Sequence, residues 1–248
     1  MRTAAWLLLF IGVPAWGQCT AESGPGTAAL VELYTSEGCS SCPPADRWLS
    51  SLSARPPGSV VPLALHVDYW DYIGWKDPYA KREFSLRQRK LTQLQRMAFV
   101  YTPQVMLQGR DFRGWGSPAF DEALARINAQ PAKASLKLAI LGAGADALEV
   151  EASAQLGRAS TDAALYLAAY RSKLESRVKA GENRGRLLAH DYVVLEWQGP
   201  LGFTGTRLNE RRRLPFLPGA DAGNSGVAAF VQDRRTGEVL QALLRSSC

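Results

Sequence analysis

Val31-Glu32-Leu33-Tyr34-Thr35-Ser36-Glu37-Gly38-Cys39-Ser40-Ser41-Cys42-Pro43-Pro44-Ala45-Asp46 is the stretch that decides the fold. Leu30 to Tyr34 is a short apolar run with a β-branched residue and reads as a strand. The loop Thr35 to Gly38 leads to two cysteines three positions apart, and two prolines follow. Proline is tolerated in the first turn of a helix and not beyond it, so a helix is predicted to start at about Cys39 or Ser40. Ala45, Trp48, Leu49 and Leu52 fall at i, i+3, i+4 and i+7 and give that helix one apolar face. Backbone N–H groups at a helix start carry partial positive charge. They are expected to favour a thiolate on Cys39, read as the more exposed of the pair. Cys42, one turn further in, is placed to resolve a mixed disulfide.

Outward from this stretch, Arg55-Pro56-Pro57-Gly58 stops the helix and Val60 to Asp68 reads as a second strand. Tyr69 to Pro78 is aromatic and irregular. Pro78 to about Met97 is helical in pattern and rich in basic residues. Tyr101-Thr102-Pro103 leads into a third strand, Gln104 to Leu107. Gln108 to Asp111 reads as a hairpin turn, and Phe112 to Trp115 as the returning strand. Ser117-Pro118 opens a helix that runs to about Asn128. The order β-α-β-α-β-β-α predicts a partly parallel sheet finished by a hairpin.

Gln130-Pro131 reads as a boundary. Beyond it, alternating runs predict strands at Leu136 to Leu141, Ala147 to Ala154, Ala163 to Arg171, His190 to Trp197, Val227 to Gln232 and Val239 to Leu244. Strands in such a series suggest a β-sandwich-like region. The expected organisation is a signal peptide at 1–17, a linker at 18–28, an α/β domain at 29–130 and a β-rich region at 131–248.

Arg2, the apolar run Ala4 to Val13 and the small residues of Ala15-Trp16-Gly17 form a secretory signal pattern, with cleavage expected after Gly17. An uncleaved anchor is the alternative. A lipid anchor at Cys19 is disfavoured by Gln18 before it. No later segment reaches the roughly 18 apolar residues of a spanning helix, so no stable membrane insertion is expected after cleavage. The expected location is the bacterial periplasm or the exterior, where thiols oxidise. Two of the four cysteines, Cys19 and Cys248, lie at the ends of the mature chain. Chain ends are often close in space, which predicts a structural disulfide between them; two unpaired terminal cysteines are the alternative.

The composition, 46% hydrophobic and 21% charged, excludes disordered and fibrous classes. Lys76 to Arg96 holds seven basic and two acidic residues. It is read as a solvated face or as a surface that steers an anionic partner. Nucleic acid is not an expected partner, because no binding motif accompanies the charge. A structural zinc site needs four ligands; a second cysteine pair is missing and His66 and His190 are the only histidines, so no metal is assigned. His66 to Trp75 is dense in aromatics and acids and reads either as a groove beside Cys39 or as packing at a strand end. Glu182 and Arg184, in Gly181-Glu182-Asn183-Arg184-Gly185-Arg186, read either as ligand contacts or as a fastening of that loop.

Residues 29–128 resemble a thioredoxin fold, through the C-x-x-C at a helix start and Thr102-Pro103 directly before a strand. The resemblance implies a cis-proline at Pro103, backbone contacts to substrate from Thr102, and catalysis by Cys39 and Cys42. The opening stretch, His66 to Ala80, Tyr101 to Gly109 and Gly181 to Arg186 together resemble bacterial secreted thioredoxin-like proteins catalogued as domain of unknown function 1223. The fold implied is a thioredoxin-like α/β domain with an inserted basic helix, then a β sandwich-like region. The activity implied is that of an exported thiol–disulfide oxidoreductase. It needs no cofactor and acts on a protein or a small thiol or disulfide. Two departures stand out. Leu33 occupies the position of the buried carboxylate that thioredoxins carry, with Glu32 beside it and Glu37 as another acid nearby. Gly38 replaces the usual aromatic before the first cysteine. Two other readings stay open: a Cu(I) chaperone using both thiolates and His66, and a non-catalytic binding module whose cysteine pair is a structural bond.

Overall fold

The computed structural model describes residues 19–143, 147–215 and 224–248. The signal-peptide expectation for residues 1–17 lies outside the described residues. The chain is mixed α/β with mostly β structure, and its spine is an eight-stranded mixed sheet.

The first half of the chain contributes four strands of that sheet: β2 (Ala29–Thr35), β3 (Val60–His66), β4 (Gln104–Leu107) and the two-residue β5 (Arg110–Asp111). The second half contributes β8 (Ala163–Arg171), β11 (Val193–Gly202), β13 (Ser225–Asp233) and β14 (Val239–Ser246). The order is β14-β13-β8-β11-β3-β2-β4-β5. β3 lies parallel to β2 on one side and to β11 on the other, where Val193 faces Ala64. The boundary at residues 130–131 therefore does not divide the core: both halves hydrogen-bond into one sheet. A second sheet, ordered β1-β6-β7-β12, is built from β1 (Cys19–Glu22), β6 (Ala134–Ala143), β7 (Ala147–Leu156) and β12 (Arg207–Pro215). The expected linker at 18–28 is corrected here, because Cys19 to Glu22 pair antiparallel with Lys137 to Ile140.

Strand alternation explains the two cores. Val31 and Leu33 face one side of the large sheet, while Leu30 and Tyr34 face the other. The first side is covered by helices α1 (Pro43–Ser51) and α3 (Pro118–Asn128), through Leu49, Phe120 and Leu124, and by the smaller sheet, through Leu138 and Val150. The second side is covered by α2 (Arg82–Leu94), through Phe84 and Leu91. The sandwich-like packing thus involves both halves of the chain.

The basic helix does not present all its charge to solvent. Arg87 turns inward to the buried Glu32, with Nη2 3.0 Å from Oε2. Its guanidinium lies 4.7 Å from the Trp197 ring centroid and 5.2 Å from those of Tyr166 and Phe230. The planar cation is thus both paired and stacked in the second core. Three other differences from the sequence reading follow local chemistry. Phe112 is irregular and Arg113 to Trp115 form a turn rather than a strand. The predicted strand His190 to Trp197 is split, since His190 ends β10 (Leu187–His190), which pairs with β9 (Leu174–Arg177), and β11 starts afresh at Val193. β12 carries four arginines and little apolar content, because it is an edge strand with one exposed face. No described helix is long and apolar enough to cross a membrane.

Candidate functional site

The sequence from Thr35 to Cys42 leaves the end of β2 in a series of tight turns. Cys39 N–H donates to the Ser36 carbonyl at 3.1 Å, and Cys42 N–H to the Cys39 carbonyl at 3.2 Å. Helix α1 starts at Pro43 with Cys42 as its N-cap, later than the predicted Cys39 or Ser40. The prolines impose this: a helix begun at Cys39 would need N–H groups from Pro43 and Pro44, and neither has one. The same absence removes two of the donors that would have made the helix start positive. Ala45 and Asp46 N–H groups both turn to the Cys42 carbonyl.

Cys39 and Cys42 are bonded to each other, with Cα atoms 5.4 Å apart. Cys39, read as the more exposed of the pair, is 1% exposed and Cys42 0%, so both are buried. A loop from the second half of the chain bonds to the backbone around them. Asn183, fully buried, donates from Nδ2 to the carbonyls of Glu37, at 2.8 Å, and Cys39, at 3.0 Å. Its Oδ1 accepts from Arg186 at 2.9 Å. Glu182 Oε2 accepts the Ser40 N–H at 2.9 Å, and this bond holds the exposed carboxyl below its ordinary range. Gly181 has φ +72°, a left-handed conformation that favours glycine, and it packs against the Ile73 side chain. Glu182 fastens the loop, while the Arg184 side chain stays exposed. Sequence reasoning passed over Asn183; its place between two turn glycines was the available signal.

Thr102 and Pro103 lie at the same end of the large sheet. Gln104 pairs with Tyr34, which sets Pro103 opposite the end of β2. The Thr102–Pro103 peptide is cis. Trp70 Nε1 donates to Thr102 Oγ1 at 2.7 Å, and the Trp70 Cβ lies 3.2 Å from where a Cβ on Gly38 would be. Trp70 and Ile73 occupy the room a larger side chain at Gly38 would need. The aromatic segment is therefore both packing and a bridge from Thr102 to the cysteine loop.

Beneath the loop lies a buried ionisable cluster. Glu37, the other acid noted near the cysteines, is fully buried: it accepts from Trp75 Nε1 at 2.7 Å and contacts His190 Nε2 at 3.2 Å. His66 Nδ1 meets Asp77 Oδ2 at 2.7 Å, and the same oxygen accepts the Glu37 N–H at 2.8 Å. Asp77 Oδ1 takes the Tyr79 N–H at 2.9 Å. The His66 and His190 rings stand edge to face at 5.0 Å. Burial alone would depress the His66 pKa, but Asp77, together with Asp46 and Glu37, outweighs it and raises it. Burial likewise opposes ionisation of Asp77, and His66 with two backbone N–H groups holds its carboxyl below the usual range. Asp46, on α1, is pushed up by burial, against the pull of His190 and His66. Leu33 packs in the first core, and Glu32 is on the opposite face with Arg87, so neither serves this site. Among the described residues, no group of three or more His, Cys, Asp or Glu side chains is arranged to hold a metal ion.

Cys19 and Cys248 are bonded, with Cα atoms 5.9 Å apart. Arg245 lies over both sulfurs, with Nε 3.1 Å from Cys19 Sγ and Nη2 2.7 Å from Cys248 Sγ.

A family described as Protein of unknown function (DUF1223) matches residues 30–232. The chain is similar to the crystal structure of protein AGR_C_4864 from Agrobacterium tumefaciens, at 27% identity and TM-score 0.67, over 90% of this chain and 96% of that one. It is also similar in fold to HBP35 of Porphyromonas gingivalis, at 16% identity and TM-score 0.66, over 91% of this chain and 76% of that one. No curated protein matches the chain.

Proposed function

We propose, on the premise that the chain belongs to the DUF1223 family, that its chemistry is thiol–disulfide exchange at Cys39 and Cys42 in an extracytoplasmic compartment. The observation that carries this reading is the bonded Cys39–Cys42 pair at the entry to α1, at the sheet end that also holds Thr102 and Pro103. In this reading residues 29–128 are a thioredoxin-like unit, and Thr102 and Pro103 meet the substrate. A substrate thiolate attacks Cys39 Sγ, the bond to Cys42 breaks, and Cys42 leaves as the thiolate that can later resolve the mixed disulfide. Two disulfides in one chain fit an oxidising compartment such as the periplasm.

The burial sets a condition: the surroundings of Cys39 must open before its sulfur can be attacked. The near-zero exposure of both sulfurs favours one other reading, a permanent structural bond in a binding module. Replacing Cys42 by Ser separates the two. Exchange predicts mixed disulfides trapped on Cys39 in the native compartment, read by mass spectrometry. A variant that traps nothing, together with a wild-type bond that a dithiol at the compartment's potential cannot open, rejects exchange.

A further inference from the structure

We propose that the Cys19–Cys248 disulfide is a second exchange site, which a small carboxylate-bearing thiol opens by bonding to Cys248 while Arg245 holds the departing Cys19 thiolate. The inference goes beyond the exchange at Cys39 and Cys42 and does not depend on it.

The two sulfurs are not equivalent. Cys19 starts β1, belongs to the first core and is 5% exposed, whereas Cys248 is exposed. A thiolate attacks one sulfur of a disulfide and displaces the other, so the sulfur it can reach decides which one leaves. Here the reachable residue is Cys248 and the leaving group is Cys19. Both members of the Cys39–Cys42 pair are buried, so of the two bonds this one is the more open to a thiol in solution.

Arg245 supplies what the leaving group needs. Its Nε is 3.1 Å from Cys19 Sγ and its Nη2 2.7 Å from Cys248 Sγ. A neutral sulfur is a weak acceptor and gives a guanidinium little in return. A thiolate in the same place makes a charge-assisted hydrogen bond with it. The guanidinium stays charged at every working pH, and among the described residues Arg245 pairs with no carboxylate. The Ser246 carbonyl, 3.3 Å from Cys19 Sγ, offers an acceptor whenever that sulfur carries a proton. Ser247 N–H donates to the Ser225 carbonyl at 2.9 Å, which keeps the segment before Cys248 on the sheet while the disulfide is open.

The same cation selects the thiol. Arg245 lines a cleft of about 320 Å³ together with Arg55, Pro57 and Tyr192. Arg55 is paired with Asp121, which leaves Arg245 as the cation of the cleft without a carboxylate partner. An anionic thiol is drawn to such a surface and a cationic one is repelled. In the step, the thiol's sulfur bonds to Cys248 Sγ, the Cys19–Cys248 bond breaks, and its electron pair stays on Cys19 Sγ. One disulfide replaces another and one thiolate replaces another, so neither an oxidant nor a proton is required. Attack of the Cys19 thiolate on the mixed disulfide reverses the step.

The test treats the oxidised wild-type protein with mercaptopropionate or with cysteamine, blocks early samples with excess N-ethylmaleimide, and maps the cysteine peptides by mass spectrometry. Each rate is divided by that thiol's rate with hydroxyethyl disulfide, which removes differences in intrinsic reactivity. The proposal expects the thiol on Cys248 and N-ethylmaleimide on Cys19. Mercaptopropionate should open the bond at least about fivefold faster than cysteamine at low salt, and the preference should shrink in 1 M salt. Arg245→Met should slow mercaptopropionate by at least about fivefold and remove the preference. Thiol on Cys19 in place of Cys248, a bond that neither thiol opens, or an Arg245→Met protein that reacts as fast as wild type overturns the proposal. Should Arg245→Met fail to fold, the wild type decides alone: a preference absent at low salt, or unchanged by high salt, overturns it. The maps report the two disulfides separately, so this result stands apart from the fate of Cys39 and Cys42.

Discussion

Glu182 Oε2 accepts the backbone N–H of Ser40 at 2.9 Å across 142 positions, and so fastens a carboxylate to the residue that follows Cys39. A negative charge there opposes a thiolate on Cys39, and the double proline has already removed two donors from the start of α1. Glu182→Gln keeps an acceptor and removes the charge. Reduced Glu182→Gln is expected to be alkylated by iodoacetamide at Cys39 on the order of two- to fivefold faster than wild type at pH 7 and low salt. The difference should shrink in 1 M salt, where screening is nearly complete. Equal rates at low salt reject the effect.

Arg87 and Glu32 form a buried pair inside a ring of aromatics. Arg87→Ala strands the carboxylate in the core, and breaking such a pair costs about 3–5 kcal/mol. Urea unfolding should show that loss. Arg87→Lys should recover only part of it, because lysine lacks the planar fork that meets both carboxylate oxygens and stacks on Trp197. The double variant Glu32→Gln with Arg87→Met should be more stable than Arg87→Ala. A loss under about 1 kcal/mol for Arg87→Ala contradicts this account.

The His66–Asp77 pair makes stability depend on pH. The raised folded pKa of His66 means its contribution is complete below the unfolded value of about 6.5 and is lost as pH rises through the folded one. The lowered pKa of Asp77 means its contribution holds above about 3.9 and is lost as pH falls through its folded value. The pair therefore stabilises most between about pH 4 and 6.5. Unfolding curves of wild type and Asp77→Asn should lie furthest apart in that window and approach one another at higher pH. Asp46 has the opposite sign: its raised pKa makes the ionised form a cost above about 3.9, so Asp46→Asn should stabilise the protein near neutrality. A separation that grows with alkalinity contradicts the first expectation.

The disulfide between Cys19 and Cys248 closes a loop across 229 positions. The chain-entropy model assigns such a closure about 5 kcal/mol as an upper bound, and about 2 kcal/mol to the short Cys39–Cys42 ring. Cys248→Ser is expected to lower stability by about 2–5 kcal/mol, and the double change of Cys39 and Cys42 to Ser by less. Urea midpoints of the two variants give the comparison, and the reverse order would be inconsistent with it.

Periodicity and punctuation in the sequence determined the elements. The i, i+3, i+4 spacing after Cys42 marks α1, the alternation of Ala147 to Ala154 marks β7, and the paired prolines dictate where α1 can begin. These signals are legible because each reports a local demand, one buried face or a missing N–H. β12 escaped because an arginine-rich edge strand buries too little to leave that mark. Only the tertiary structure decided what surrounds the cysteines. Asn183 reaches the Glu37 and Cys39 carbonyls across 146 and 144 residues, Glu37 turns inward to His190, and β11 joins β3 so that both halves share one sheet. Spacing along the chain carries no measure of such distances. Long-range pairing is selected by the summed burial and hydrogen bonding of the whole, and it buries both cysteines and ties the backbone around them to a loop from the second half of the chain.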